Sequence, residues 1–327
     1  MGLPRMNQPN TPFPPHRPLK GRNPLLSLSD YILTCIGPEI TPPLIEKIFK
    51  LLWKKKMLVQ RSKRLAQIEC DCLEMVFATT PPINPIILTK IFSSIGEQYK
   101  ADIIVQDAEA YRREKRLVVM DLDSTLIAAE VIDELAKEAG VGEQVIQITQ
   151  RAMNGEIPFP EALRERVRLL KGMHTSTLKN IHKRICYTSG ASSFTAVLRK
   201  RGCKTAVLTG GFDFFAERVK KTLQLDYVFA NRLEIKNNRV TGEVLGEIVD
   251  GKRKAALMEE IAQKEGILLD RVVAIGDGAN DLPMITKAGF GIAFNAKPSI
   301  RKAAPYNMTQ KSLVSILYLL GFSEEEV

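Results

Sequence analysis

The 327-residue chain is poor in thiols, imidazoles and indoles: it has five Cys, three His and one Trp. Cys35, Cys70, Cys72, Cys186 and Cys203 are odd in number and scattered, which argues against a disulfide framework. The Cys70-x-Cys72 pair lacks the second ligand pair that zinc requires, so both read as small strand residues rather than metal ligands. Long apolar runs are missing too. A membrane span needs roughly 18 such residues, and the best stretch, Leu313 to Phe322, is about half that, so no membrane partner is expected. The N-terminus has no apolar core of a secretory signal, and the chain reads as cytoplasmic. Residues 1–29 contain no acid, seven of the 18 prolines and four Lys/Arg. A segment built around Pro12-Phe-Pro-Pro15 cannot form a helix, so 1–29 is expected to be a flexible tail rather than an amphipathic transit peptide.

Basic residues outnumber acidic ones by 47 to 37, a net charge of +10. That balance suggests either nucleic acid or a small anion such as a phosphate ester. No basic stripe interleaved with aromatics is present, and the tail alone carries +4, so no nucleic-acid partner is expected. Residues 30–110 are neutral and the remainder carries +6.

What is present is an ordinary globular composition, 45% apolar and 26% charged, in a chain long enough for about two domains. Residues 30–110 alternate in type. The apolar run Tyr31 to Ile36 is closed by Gly37-Pro38, and Thr41-Pro-Pro then reads as a helix N-cap with prolines in the first turn. Leu44, Ile45, Ile48, Leu51 and Leu52 recur at a helical period, and Lys54 to Lys56 suit that helix's C-terminal dipole. Strands are predicted near Met57–Arg61 and Ile68–Ala78, a helix over Asn84–Tyr99 and a strand over Ile103–Val105. The order βαββαβ is that of a ferredoxin-like unit. From residue 111 to 327, apolar strand signals at Leu117–Met120, Thr205–Leu208, Tyr227–Ala230 and Val272–Ile275 alternate with helical patterns. That predicts an α/β fold with a parallel sheet between helices. Two insertions interrupt it: a helical stretch at about 130–190, long enough for a cap, and a hairpin at about 233–245 turning at Asn237-Asn238.

The chemistry gathers where these strands end. The first runs into Asp121-Leu-Asp-Ser-Thr125, two carboxylates two residues apart, which is either a capping cluster or a ligand site at the sheet edge. The second ends in Thr209-Gly-Gly211, a hydroxyl followed by residues that let backbone N–H groups approach a ligand. The last ends in Gly276-Asp-Gly-Ala-Asn-Asp281. Asp121, Asp123, Asp277 and Asp281 should therefore converge, and an all-oxygen set of that charge calls for a hard divalent cation such as Mg²⁺. Lys254 supplies a compact cation for a phosphate.

These motifs, in this order, resemble the haloacid dehalogenase (HAD) superfamily, and most closely its phosphoserine phosphatase branch. The likeness extends over residues 117–300, through Glu130, the Met153 and Phe159 region, Leu163-Arg-Glu-Arg166, Gly210-Gly-Phe-Asp213 and Phe229-Ala-Asn231. It implies a HAD-like Rossmannoid sheet with a helical cap. It also implies Mg²⁺-dependent hydrolysis of O-phospho-L-serine to L-serine and phosphate, the last step of serine biosynthesis. The alternative is hydrolysis, or phosphoryl transfer, of another small phosphomonoester. By the same resemblance Asp121 is the nucleophile that becomes an aspartyl-phosphate, and Asp123 the general acid and base. Asp121, the Asp123 carbonyl and Asp277 would hold Mg²⁺, with Asp281 acting through water. Thr209, Gly210, Lys254 and Asn280 would bind phosphate or substrate; Glu130 and Arg166 would read the ammonium and carboxylate of serine; Met153 and Phe159 would exclude water. Thr209 replaces the serine common in close relatives but keeps the hydroxyl. By its spacing alone Arg166 is equally an exposed helix charge among Arg164, Glu165 and Arg168. Residues 30–110 are similar in pattern to ACT-type modules, which implies amino-acid binding or pairing into a homodimer.

Overall fold

The computed structural model describes residues 29–327; the proline-rich tail reading over 1–29 lies outside this range except at Ser29, which opens the first strand. Among the described residues, eleven strands form two sheets: β1 Ser29–Gly37, β2 Leu58–Ala66, β3 Asp71–Thr79, β4 Asp102–Asp107, β5 Leu117–Met120, β6 Lys204–Phe212, β7 Tyr227–Lys236, β8 Arg239–Leu245, β9 Val272–Gly276, β10 Phe290–Phe294 and β11 Tyr306–Met308. The helices that matter below are α1 Pro42–Lys54, α2 Pro85–Tyr99, α3 Ala108–Arg112, α4 Val131–Ala139, α5 Gly142–Met153, α6 Phe159–Leu169, α7 Thr175–Arg184, α8 Ala191–Lys200, α9 Asp213–Leu223 and α10 Gly251–Lys264.

The first sheet has the order β2-β3-β1-β4 with antiparallel pairings, as a βαββαβ unit requires. Leu44, Ile48 and Leu52 of α1 and Leu88 and Phe92 of α2 pack against it. Thr41 stands at the N-cap of α1 with prolines behind it, yet its side chain makes no capping bond. Asn84 does cap α2, accepting from the Ile86 and Ile87 N–H groups.

The second sheet has the order β11-β10-β9-β5-β6-β7-β8. It is parallel except for the β7–β8 hairpin, whose Asn237 and Asn238 both have positive φ, as a two-residue turn between Lys236 and Arg239 demands. Strands β10 and β11 extend the sheet beyond the four apolar signals expected, because each is short and follows a helix of only six residues. Central β5 is buried along its whole length, with separate apolar layers on its two faces. The inserted helices α4 to α7 rise from the C-terminal edge of this sheet, after β5. The hairpin leans on them: the Gly172 N–H donates to the Val240 carbonyl at 2.8 Å and the Thr175 N–H to the Asn238 carbonyl at 2.9 Å.

Polar ties join the two sheets. Asp102, on β4, accepts from the Thr309 and Gln310 N–H groups, and the Gln106 side-chain amide donates to the Leu319 carbonyl at 3.0 Å. The Glu324 carboxylate accepts from the Gln67 and Ile68 N–H groups.

Candidate active site

Three parallel strands end at the same edge because their registers match: Met120 pairs with Ile275 on one side and Val207 on the other. The next residues therefore meet. The Asp121 N–H donates to the Ile275 carbonyl at 2.9 Å, bringing its carboxylate beside the loop after β9. Asp121, Asp277 and Asp281 each offer a carboxylate oxygen within 4.8 Å of the others.

Lys254 lies fully buried between them, its Nζ 2.7 Å from Asp121 Oδ1 and 2.6 Å from Asp281 Oδ1. Its helix is placed by Asp250, which caps α10 and accepts from the Arg253 N–H at 2.8 Å. The other oxygen of Asp281 accepts from the Asp277 and Gly278 N–H groups, so both of its oxygens are engaged. Gly276 makes room for this carboxylate: a Cβ there would lie 2.4 Å from Asp281 Cγ. Asn280 is next to the cluster in the same turn, its carbonyl packed 2.7 Å from where a Gly251 Cβ would be.

One lysine does not balance this group. Burial pushes the Asp277 carboxyl up to about 8, with repulsion from Asp121 and Asp281 adding to it. Asp121 is raised by burial and by Asp281, against the pull of Lys254. Asp123 is raised well above the carboxylate range by burial, then by Asp121 and Glu130. A dense, half-compensated, oxygen-only set fits a hard divalent cation, whose charge would relieve these repulsions.

Asp123 is fixed by the Val131 N–H at the start of α4, 3.1 Å from its Oδ1. Ser124, between the two sheet-edge loops, takes a left-handed backbone with φ of 56°, a conformation seldom adopted by residues other than glycine. Its hydroxyl donates to Glu130 Oε1 at 2.6 Å. On β6, Thr209 Oγ1 accepts from the Gly211 N–H at 2.8 Å. The inserted helices cover this glycine loop, since a Cβ at Gly210 would meet the Phe159 ring at 2.8 Å.

Arg166, on α6, is 9% exposed and makes no ion pair among the described residues. Its Nε donates to the Ala162 carbonyl at 3.2 Å, and its guanidinium lies 6.0 Å from the centre of the Phe159 ring. Burial lowers its pKa, opposed by the charges of Asp133, Glu130 and Asp123. The exposed-charge alternative for Arg166 is thereby excluded. Met153 differs from expectation: at the end of α5 it is 60% exposed, so in this structure it screens nothing from water.

Residues 118–286 match the haloacid dehalogenase-like hydrolase family. The chain belongs to this family. As a HAD-like hydrolase it is 39% identical to the phosphoserine phosphatase of Saccharomyces cerevisiae over 92% of its own length and 99% of that protein's. It is 51% identical to a phosphoserine phosphatase of Archaeoglobus fulgidus over 70% of this chain and 67% of the relative. A crystal structure of a HAD-family hydrolase from Salmonella enterica serovar Typhi superposes with a TM-score of 0.80 at 29% identity, covering 91% of this chain and all (100%) of that one. A substrate-bound phosphoserine phosphatase structure matches with a TM-score of 0.60 at 44% identity, covering 63% of this chain and 99% of that chain.

Two residues of the HAD-like site were given no role by the sequence. Asn231 is wholly buried; its amide donates to the Gly210 carbonyl at 2.9 Å and its oxygen accepts from the Val249 N–H at 2.8 Å, pinning the glycine loop. Thr125 Oγ1 lies 3.3 Å from Asp277 Oδ1 and ties the first acidic loop to the last. An asparagine at a strand end looks like a turn former, and a threonine opening a helical stretch looks like a cap, so neither carries a signal of its own.

Proposed function

We propose that the chain is an Mg²⁺-dependent phosphatase that hydrolyses O-phospho-L-serine to L-serine and phosphate. The observation that carries the substrate is a buried Arg166 guanidinium over the Phe159 ring that makes no ion pair among the described residues, together with a Glu130 carboxylate held near the acidic loop by the Ser124 hydroxyl. An amino acid brings the carboxylate for one and the ammonium for the other, and a guanidinium can take that carboxylate through two N–H bonds. The relatives named phosphoserine phosphatase, one of them solved with substrate bound, support the same reading.

Asp121 attacks phosphorus as nucleophile. Its bond to phosphorus forms as the bond from phosphorus to the serine oxygen breaks, and that oxygen takes the proton of Asp123. The resulting aspartyl-phosphate is hydrolysed when Asp123 accepts a proton from an attacking water, whose oxygen joins phosphorus as the bond to Asp121 breaks. Phosphate then leaves. Lys254 spends two of its three N–H donors on Asp121 and Asp281, leaving one for a phosphoryl oxygen. Thr209 and the Gly210 N–H complete that cradle, with Asn280 orienting the substrate. Phe159 closes over the glycine loop and keeps bulk water from the phosphoaspartate. Asp121, the Asp123 carbonyl and Asp277 would hold Mg²⁺, with Asp281 supporting it through water. When bound, the ion supplies the positive charge that lets a carboxylate approach a phosphate dianion.

The test is a panel of phosphomonoesters with and without Mg²⁺. Phosphoserine should have the highest kcat/KM, EDTA should stop turnover reversibly, and Asp121→Asn should abolish it. Equal kcat/KM for phosphoserine, phosphothreonine, phosphoethanolamine and glycerol phosphate would refute serine specificity and favour a general phosphomonoesterase.

A further inference from the structure

Asparagine is a poor strand former, yet Asn231 sits in β7 and is wholly buried. The neighbouring ladder gives the reason. Strands β6 and β7 pair in step as far as Leu208 with Phe229 and resume at Phe212 with Asn231, so β6 spends two residues more than β7 between these points. Thr209, Gly210 and Gly211 therefore bulge out of the sheet, and the pairing of β6 with β5 has already ended at Val207. A bulge of this kind leaves backbone groups without ladder partners. The Asn231 side chain stands in for one such partner: its amide donates to the Gly210 carbonyl at 2.9 Å.

The other end of the same amide reaches a different element. Its oxygen accepts from the Val249 N–H at 2.8 Å, one residue before Asp250, the N-cap of α10. That helix is anchored on its own account: Leu257, Met258 and Ile261 are buried in the core, and Lys254 is held between Asp121 and Asp281. The outer side of the bulge is its working side. Asp123 Oδ2 lies 2.6 Å from where a Gly211 Cβ would be, and the Phe159 ring 2.8 Å from where a Gly210 Cβ would be. One planar group, with a donor and an acceptor in fixed relation, thus ties the bulge to the lysine helix from behind.

We propose that Asn231 is a positioning residue for phosphate: it sets the distance between the Thr209–Gly210 cradle and the Lys254 ammonium, so that both meet one phosphoryl group. The inference rests on the phosphatase reading of the site but not on serine as the substrate. It places no demand on the metal ligands, because Asp121 and Asp277 follow β5 and β9, which pair with each other directly. Phosphate and metal binding should therefore separate in variants of Asn231, whereas a residue that merely holds the fold together would weaken both.

Two variants test this. Asn231→Leu keeps the branched shape and loses both bonds, and Asn231→Ala leaves room for a water. Calorimetric titration of the full chain, about 15 °C below each variant's own Tm, measures Mg²⁺ alone and then inorganic phosphate at saturating Mg²⁺. Inorganic phosphate is the product of any phosphomonoesterase, so a wrong substrate assignment leaves the test intact. Phosphate Kd should rise about tenfold or more and Mg²⁺ Kd stay within about twofold, while kcat on the phosphomonoester that the wild type turns over best should fall about 10²-fold. The loss should be larger for Asn231→Leu, where no water can bridge the stranded groups. Absence of turnover in the wild type would refute the phosphatase reading, and the two dissociation constants would still decide the role of Asn231. An equal loss of phosphate and Mg²⁺ affinity, an unchanged phosphate Kd, a wild type that binds no phosphate, or failure of both variants to fold overturns the proposal.

Discussion

Lys254→Met isolates the electrostatics of the acidic site. Methionine keeps the length and apolar stem of lysine but removes the charge that sits 2.7 Å from Asp121 and 2.6 Å from Asp281. All three side chains are buried, so solvent cannot take the place of the lost ammonium. Breaking a buried ion pair from one side costs about 3–5 kcal/mol, most of it the penalty of leaving an uncompensated charge. For a unit of roughly 200 residues, each kcal/mol moves Tm by about 2–4 °C, so the metal-free variant should melt about 6–20 °C below the wild type. A divalent cation restores part of the missing charge. Saturating Mg²⁺ should therefore raise Tm of the variant by more than that of the wild type. The assay is calorimetric melting of both proteins at neutral pH, with EDTA and with Mg²⁺. Equal Tm values in EDTA would refute the view that Lys254 holds these carboxylates in place.

Other expectations follow from single contacts. Arg166→Ala should lower kcat/KM for phosphoserine by about 10²-fold, a loss of about 3 kcal/mol in carboxylate binding. Phosphoethanolamine, which has no carboxylate, should be affected far less; parallel losses for both would sever Arg166 from substrate reading. Asn231→Ala strands the Gly210 carbonyl and the Val249 N–H, at about 1–3 kcal/mol each, and urea unfolding should register about 2–6 kcal/mol. Gly210→Ala drives a methyl into Phe159 and should cut kcat by preventing the cap from seating, with little change in Tm; an unchanged kcat means the ring moves aside freely. Lys115 is lowered to about 8, chiefly by burial and secondarily by Arg113 and Arg271, with Asp270 opposing. Between that value and the unfolded value near 10.5 the unfolded chain binds the extra proton, so stability should rise with pH across this window. Lys115→Met should therefore raise Tm at pH 7 and lose that advantage by about pH 10.5; a gain that does not depend on pH would point to packing instead.

The acidic site was legible because its chemistry is local. Asp121, Thr209 and Asp277 each follow a short apolar run, and parallel strands must end at a common edge, so three separate strings became one site. The hairpin was legible for a similar reason, two asparagines being among the few residues that accept positive φ in succession. What escaped depends on contacts remote in sequence. Nothing around Arg166 marks it as buried, since its neighbours Arg164 and Arg168 are exposed and only the fold turns its face inward. Strand β11 has three residues and exists only through its pairing with β10. The orientation of Met153 depends on how the inserted helices sit, which periodicity does not encode.

The ties between the two units also bear on when the protein acquires its final shape. Asp102 receives its partners from Thr309 and Gln310, and Gln106 from Leu319, more than two hundred residues further along. On the ribosome the β1–β4 unit can complete its own sheet early, while its docking face waits for the rest of the chain to emerge. At about 5–20 residues per second that delay is on the order of ten seconds or more. Through that interval the face of β4 and α2 is open to whatever else the cell offers. The segment around Thr309 to Leu319 therefore acts as a clasp between the two units, and damage to it should separate them before it disturbs the chemistry.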